Sequence, residues 1–235
     1  MNFNFFLWPM LIPMIIPIVY GIKYKRESLL EICIITFSMI FIVVAYWPLT
    51  LGLNSSANIV TKFLLFVLVP LVLLYITWKI RNKHKKKKQE YSFKQFGLTE
   101  EEFEKSLKLG LLLLPIMLIV TFIAKYVVGG TLDSNFPLGV VSFMESFTEE
   151  FFFRGILFIF LLSRTNLKIA YITSFASFIL MHPQNFSNPF IISTIVQGLL
   201  TIEICRRSKN LVGAWVLHGT NRFFSIVIIP LILFI

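Results

Sequence analysis

The sequence predicts an all-α protein, a polytopic bundle of about eight transmembrane helices in a single integral membrane domain spanning residues 1–235. Three observations lead there. Of the 235 residues, 57% are hydrophobic and only 14% charged, with a mean hydropathy of +0.80, a balance that a water-facing surface does not tolerate. The apolar residues fall in runs of about the length that crosses ~30 Å of hydrocarbon. The basic residues collect between alternate runs, as cytoplasmic loops require.

Taken in order, the runs cover Phe3–Tyr20, Leu29–Trp47, Ile59–Trp78, Leu109–Val128, Leu138–Leu162, Ile169–Met181, Pro189–Cys205 and Leu211–Ile235. The first is interrupted by Pro9, Pro13 and Pro17, has no basic residues before it and shows no small-residue cleavage pattern, so it reads as a span rather than a removable signal peptide. Lys23, Lys25 and Arg26 follow the first run, Lys79 to Lys108 surround the gap after the third, Arg164 and Lys168 follow the fifth, and Arg206, Arg207 and Lys209 follow the seventh. Only Lys62, Lys125, Arg154 and Arg222 of the 22 basic residues lie elsewhere. Connections at 48–58, 129–137 and 183–188 contain none, which places both termini outside a multi-pass protein of the cell membrane. Lys62 and Lys125 fall near outer span ends, where a lysine stem can carry its charge to the interface.

This arrangement explains the net charge of +10 through the lipid bilayer and leaves no role for nucleic acid. The run from Arg81 to Lys88 reads as a stop-transfer segment against anionic headgroups. After it, residues 91–107 interleave Phe93, Phe96, Leu98, Phe103 and Leu107 with charges, and Thr99 ahead of Glu102 gives a capping-box pattern. A cytoplasmic basic loop with a short interfacial helix is therefore expected over 81–108. Cys33 and Cys205 lack disulfide or metal-ligand spacing and read as small apolar residues.

Ionisable groups inside a span cost roughly 2.5–3.5 kcal/mol each on insertion scales, so each needs a compensating role. The fifth run holds Glu145, Glu149, Glu150 and Arg154. Glu150 precedes Arg154 by four residues, the favourable order for an ion pair on one helical face, which leaves Glu149 as the carboxylate available for chemistry. His182 precedes Pro183 at a helix end, where backbone carbonyls lack partners. His218 has Asn221 on nearly the same face of the eighth run. Glu203 with Arg207 and the lone Gln197 read as helix-surface and interhelical contacts, while Glu145 faces either the site or outer water.

Glu149-Glu150-x-x-x-Arg154, then Phe178-x-x-x-His182, then a His218 motif after a basic turn together resemble the signatures of the CAAX protease and bacteriocin-processing family, also called the Abi family. The resemblance covers Leu138 to Phe224, a motif-bearing protease core over residues 138–224. It implies an eight-helix intramembrane endopeptidase acting on a peptide or membrane-protein substrate. By matching position, Glu149 would be the general base, His182 would hold or activate the water, and His218 would help stabilise the oxyanion, with Glu150 and Arg154 ordering the site. One departure stands out. The family usually places Asn or Asp four residues after this His, where the chain has Arg222, and Asn221 stands three after. Asn221 substitutes, or Arg222 supplies a charged donor, or the oxyanion site is impaired and the fold serves as a non-catalytic binding or bacteriocin-immunity protein.

Two further points stay open at the level of sequence. No cofactor is favoured, since no HExxH spacing occurs, but Glu149, His182 and His218 form a set that zinc could use. And straight, full-length spans would hold His182, near the outer end of the sixth run, well above His218, seven residues into the eighth.

Overall fold

The computed structural model describes residues 8–50, 55–83, 92–128 and 133–233. Among these, eight helical bodies follow one another and no strand occurs. We number them α1 (8–24), α2 (Arg26–Thr50), α3 (55–83), α4 (Phe103–Val128), α5 (136–164), α6 (Leu167–Leu180), α7 (Phe190–Ser208) and α8 (212–233). Four of them, α2, α3, α4 and α8, are long and apolar enough to cross a membrane by length and composition, and α1 and α6 are apolar but shorter. The protein is thus a helical membrane fold, as the hydrophobic runs predict.

Local chemistry sets the ends of these helices. Pro13 lies within the opening Trp8–Met14 stretch of α1, which winds as a 3-10 helix before the α-helix of Ile15–Tyr24. Asn135 caps α5 by accepting the Leu138 N–H at 2.9 Å, and Asn166 caps α6 by accepting the Ile169 N–H at 3.0 Å. Three helices widen into π-helical turns: α3 at Leu64–Leu68, α5 at Phe151–Phe160 and α8 at Phe224–Ile228. Each widening follows within two residues of a charged residue paired inside the bundle, the buried Lys62, the buried Glu149 with Glu150, and the half-buried Arg222, a placement in keeping with π-turns at functional sites.

One end of the bundle gathers the basic turns. Glu31 of α2 pairs with Arg81 at the end of α3 and lies 3.9 Å from Arg164 at the end of α5. Glu203 binds both Arg206 at 2.7 Å and Arg207 at 2.6 Å near the end of α7. Residues 84–91, which include most of the basic run, lie outside the described residues.

The expected interfacial helix is not what residues 92–107 form. Phe93–Phe96 make a single 3-10 turn, Gly97 takes a left-handed conformation (φ 78°), and α4 begins at Phe103. Thr99 Oγ1 accepts the Glu101 N–H at 3.2 Å rather than capping at Glu102, which itself has a positive φ of 58°. The physical reason lies in Phe96. It is fully buried, stacked on Phe160 at 5.2 Å and packed on Phe151 at 5.9 Å, so the segment enters the bundle as a wedge instead of lying along its surface. A side chain at Gly97 would put its Cβ 2.5 Å from Ile159, and one at Gly155 would meet the Phe96 carbonyl at 2.9 Å.

This wedge resolves the depth conflict between the two histidines. Leu211 donates its N–H to the Gly97 carbonyl at 3.0 Å, and Asn210 Nδ2 donates to the Thr99 carbonyl at 2.6 Å. Ser106 Oγ, in turn, bonds the Asn210 carbonyl and the Gly213 N–H at 3.1 and 2.9 Å. The start of α8 is therefore seated on residues 97–106, beside Gly155 of α5, roughly two turns inside the basic end marked by Arg164. Meanwhile α6 runs antiparallel to α5, with Ser174 Oγ on the Phe153 carbonyl at 2.7 Å and Phe178 against Phe153 at 5.4 Å. His182 and His218 arrive at the same level because α8 starts high.

Candidate active site

Glu145, Glu149, Glu150 and Arg154 lie in the middle of α5, all buried. Their charges are balanced within the bundle. Arg154 Nε is 3.2 Å from Glu150 Oε2, as the i,i+4 spacing predicts, with its guanidinium 4.1 Å from the centre of the Phe178 ring. The other two acids have partners the sequence does not advertise. Lys62 Nζ of α3 lies 2.6 Å from Glu145 Oε1 and 2.7 Å from Glu149 Oε1. Arg222 of α8 reaches Glu145 Oε2 at 3.0 Å and Glu149 Oε1 at 3.1 Å. Three carboxylates thus meet three cations, the condition under which buried charge is tolerable.

Lys62 is a correction to the sequence reading. It does not extend to the outer interface but is buried, over the Tyr46 ring at 5.6 Å and between two carboxylates. Glu145 faces the site and not outer water. A partial signal for both was present: three acids in one span against a single arginine leave two charges uncompensated, to be met by two of the three cations in other spans, Lys62, Lys125 and Arg222.

The two histidines point their Nε2 atoms at the same oxygen. His182 Nε2 is 3.8 Å and His218 Nε2 3.9 Å from Glu149 Oε2, which has no hydrogen-bond partner among the described residues. Each ring is fixed from behind. His182 Nδ1 donates to the Phe178 carbonyl at 2.8 Å, using the carbonyls that a helix end leaves over. His218 Nδ1 is 2.7 Å from Glu150 Oε1. Glu150 therefore orients His218 as well as pairing with Arg154. Asn221 Nδ2 donates to Gln197 Oε1 at 3.0 Å, so this predicted site residue is near the cluster but engaged with α7, its Oδ1 unpartnered among the described residues.

Glu149, His182, His218, Asn221 and Arg222 line one cavity of about 330 Å³, within the size range of small ligand sites. It continues past Gln197 and Ser193 to Lys125, Gln184, Asn185 and Phe190, at the end of the bundle away from the basic turns. Among the described residues, no group of three His, Cys, Asp or Glu is close enough to hold a metal ion.

Against known proteins, the family model for type II CAAX prenyl endopeptidase Rce1-like proteins matches residues 131–224. Over that segment the chain is similar to Rce1-like proteins. The match bears out the family resemblance drawn from Glu149-Glu150-x-x-x-Arg154, Phe178-x-x-x-His182 and the His218 motif, and it supports a protease. The Rce1-like segment spans α5, α6, α7 and the first part of α8, and so contains both histidines and every acid of the cluster but not Lys62. No curated protein and no solved structure matches the chain.

Proposed function

We propose that the protein is an intramembrane endopeptidase in which Glu149 activates water to cleave a peptide bond of a membrane-associated protein or peptide. One observation carries this reading: an unpartnered, buried carboxylate oxygen, Glu149 Oε2, faced at 3.8 and 3.9 Å by two imidazole Nε2 atoms. Those separations are too long for direct hydrogen bonds and suit a water oxygen about 2.8 Å from Glu149 Oε2 and His182 Nε2, with His218 Nε2 beside it as a donor only when that ring is doubly protonated.

The chemistry follows from the fixed protons. Because the Phe178 carbonyl can only accept, His182 Nδ1 carries hydrogen, and the neutral ring presents a lone pair at Nε2 to hold one hydrogen of the water. Glu149 Oε2 removes the other hydrogen as the water oxygen attacks the substrate carbonyl carbon, and then returns it to the departing amine nitrogen. Lys62 and Arg222 hold Oε1 and leave Oε2 free to take the proton.

The oxyanion needs N–H donors facing the cavity. With His218 Nδ1 given to Glu150, a neutral His218 offers no N–H at Nε2, and a doubly protonated ring offers one. Asn221 Nδ2 and the Arg222 guanidinium also line the space. Arg222 stands where the family places its Asn, and is the charged donor in this reading. No metal is needed for these steps, and a zinc-dependent route using Glu149, His182 and His218 is the alternative that a chelator tests.

The decisive experiment compares wild type, Glu149→Gln and His182→Ala in reconstituted membranes against candidate peptides, with and without chelator. We expect cleavage to fall by about 10²–10⁴-fold in Glu149→Gln, the range of a lost general base. Equal activity in all three proteins would end the protease reading in favour of a non-catalytic binding protein. Loss of activity with chelator and recovery with zinc would end the metal-free route. Arg222→Ala beside Asn221→Ala identifies the donor that serves the third motif.

A further inference from the structure

Around Glu149 three carboxylates meet three cations, but at the basic end of the bundle the charges do not balance. Glu31 of α2 is shared there by two arginines from other helices, Arg81 of α3 and Arg164 of α5. The nearby carboxylate of Glu27 lies 3.6 Å from Lys25. Among the described residues neither arginine has a second carboxylate within ion-pair distance, so the group holds one cation more than it has acids.

Both guanidiniums are fixed in place and still reach the surface. Arg164 lies over the Phe160 ring at 4.7 Å with its side chain 19% exposed, and Arg81 is 29% exposed. Arg81 donates from Nη1 to Glu31 and from Nη2 to the Glu27 carbonyl, while Arg164 donates from Nη1 to Ser163 Oγ at 3.3 Å. A guanidinium has five N–H donors, so most of those in this pair are left for another acceptor. Arg164 Nε is buried without a hydrogen-bond partner among the described residues.

Two like charges held side by side at a membrane surface call for an anion between them. The planar forks suit the paired oxygens of a phosphate, and the group stands at the level of the basic turns, where headgroups of the cytoplasmic leaflet lie. A headgroup such as phosphocholine brings its own ammonium. A phosphodiester without one, as in phosphatidylglycerol, neutralises the surplus cation.

We infer that Arg81 and Arg164 form a binding site for the phosphate of one anionic phospholipid, which completes the junction of α2, α3 and α5. Glu31 is the acid that holds the two arginines in register and competes with the lipid for them.

The test uses the full-length protein in maltoside micelles and measures equilibrium retention of tritiated dioleoylphosphatidylglycerol and dioleoylphosphatidylcholine. Wild type should retain one phosphatidylglycerol about tenfold more tightly than phosphatidylcholine, the scale of a charge-assisted contact. Arg81→Gln and Arg164→Gln should each remove that preference. Replacing Lys85, Lys86, Lys87 and Lys88 together by Gln should keep it, which separates a defined site from diffuse attraction to the basic run. Glu31→Gln should tighten phosphatidylglycerol several-fold, a gain that misfolding does not imitate, whereas Glu104→Gln, the same change of charge at an exposed pair with Lys108, should not. Excess inorganic phosphate should leave the lipid bound. Equal retention of the two lipids, no retention of either, a preference that survives both arginine substitutions or vanishes with the four lysines, no gain in Glu31→Gln, or displacement by free phosphate overturns the site.

Discussion

Lys62 Nζ lies 2.7 Å from Glu149 Oε1, joining α3 to a carboxylate of the Rce1-like segment from outside that segment. Removing the ammonium leaves Glu145 and Glu149 to share Arg222 in a buried setting. Breaking such a pair costs about 3–5 kcal/mol because an uncompensated charge stays behind. Lys62→Met should therefore lower the melting temperature sharply and, on the proposed mechanism, cut peptide cleavage at least about tenfold, as one uncompensated charge disturbs Glu149. Lys62→Arg should recover most of the stability. Thermal unfolding in detergent beside a quenched-fluorescence cleavage assay measures both, and a wild-type melting curve for Lys62→Met would contradict the charge balance described above.

Glu150 and Arg154 invite a double substitution. Arg154→Met alone leaves Glu150 with His218 as its one remaining ion-pair partner among the described residues, and should destabilise by about 3–5 kcal/mol. Combining it with Glu150→Leu removes both charges and should restore much of that loss, while activity stays low because His218 loses the carboxylate that orients it. A double-mutant cycle on stability with parallel rates separates the two roles; recovery of activity together with stability would show that Glu150 has no part in orienting the ring.

The contact between α4 and α8 admits no side chain. A Cβ at Gly213 would lie 1.9 Å from the Ser106 carbonyl, backbone that cannot move aside, whereas one at Gly198 would meet only the rings of Phe175 and Phe178, at 3.1 Å and beyond. Gly213→Ala should fail to yield folded protein, as judged by size-exclusion profile and melting. Gly198→Ala should fold with a loss of about 1–3 kcal/mol, the usual scale of overpacking.

The gathering of basic turns at one end predicts a direction of access. In a background of Cys33→Ser and Cys205→Ser, Gln184→Cys should react with a membrane-impermeant maleimide applied to intact cells, and Lys209→Cys only in inverted vesicles. The opposite pattern would place the cavity mouth on the side of the basic loops.

Much of this was legible in the chain because lipid simplifies the code. Apolar run length located the eight helices to within about six residues at the described ends, the expected limits at Phe3 and Ile235 lying outside the described residues, and the cost of buried charge points to Glu149, Glu150 and Arg154 from sequence alone. The same rule read through one span alone misplaced Lys62: its position near a span end is equally compatible with the interface, and the charge count across spans calls for two further buried cations without choosing between Lys62 and Lys125. Phe96 was hidden for a different reason. A phenylalanine among lysines has the periodicity of a surface helix, and its insertion depends on Gly97 and Gly155 providing room from two distant parts of the sequence. The common level of His182 and His218 depends on that same insertion, which no helix-length argument contains.

The seating of α8 on residues 97–106 has a practical corollary for grafting. A chimera that transplanted residues 131–224 into another scaffold would carry Glu149, His182 and His218, yet leave behind the ammonium that pairs with Glu149 and the wedge that sets the height of His218. What can be recognised in this protein as a hereditary unit is smaller than what must travel together for its parts to meet.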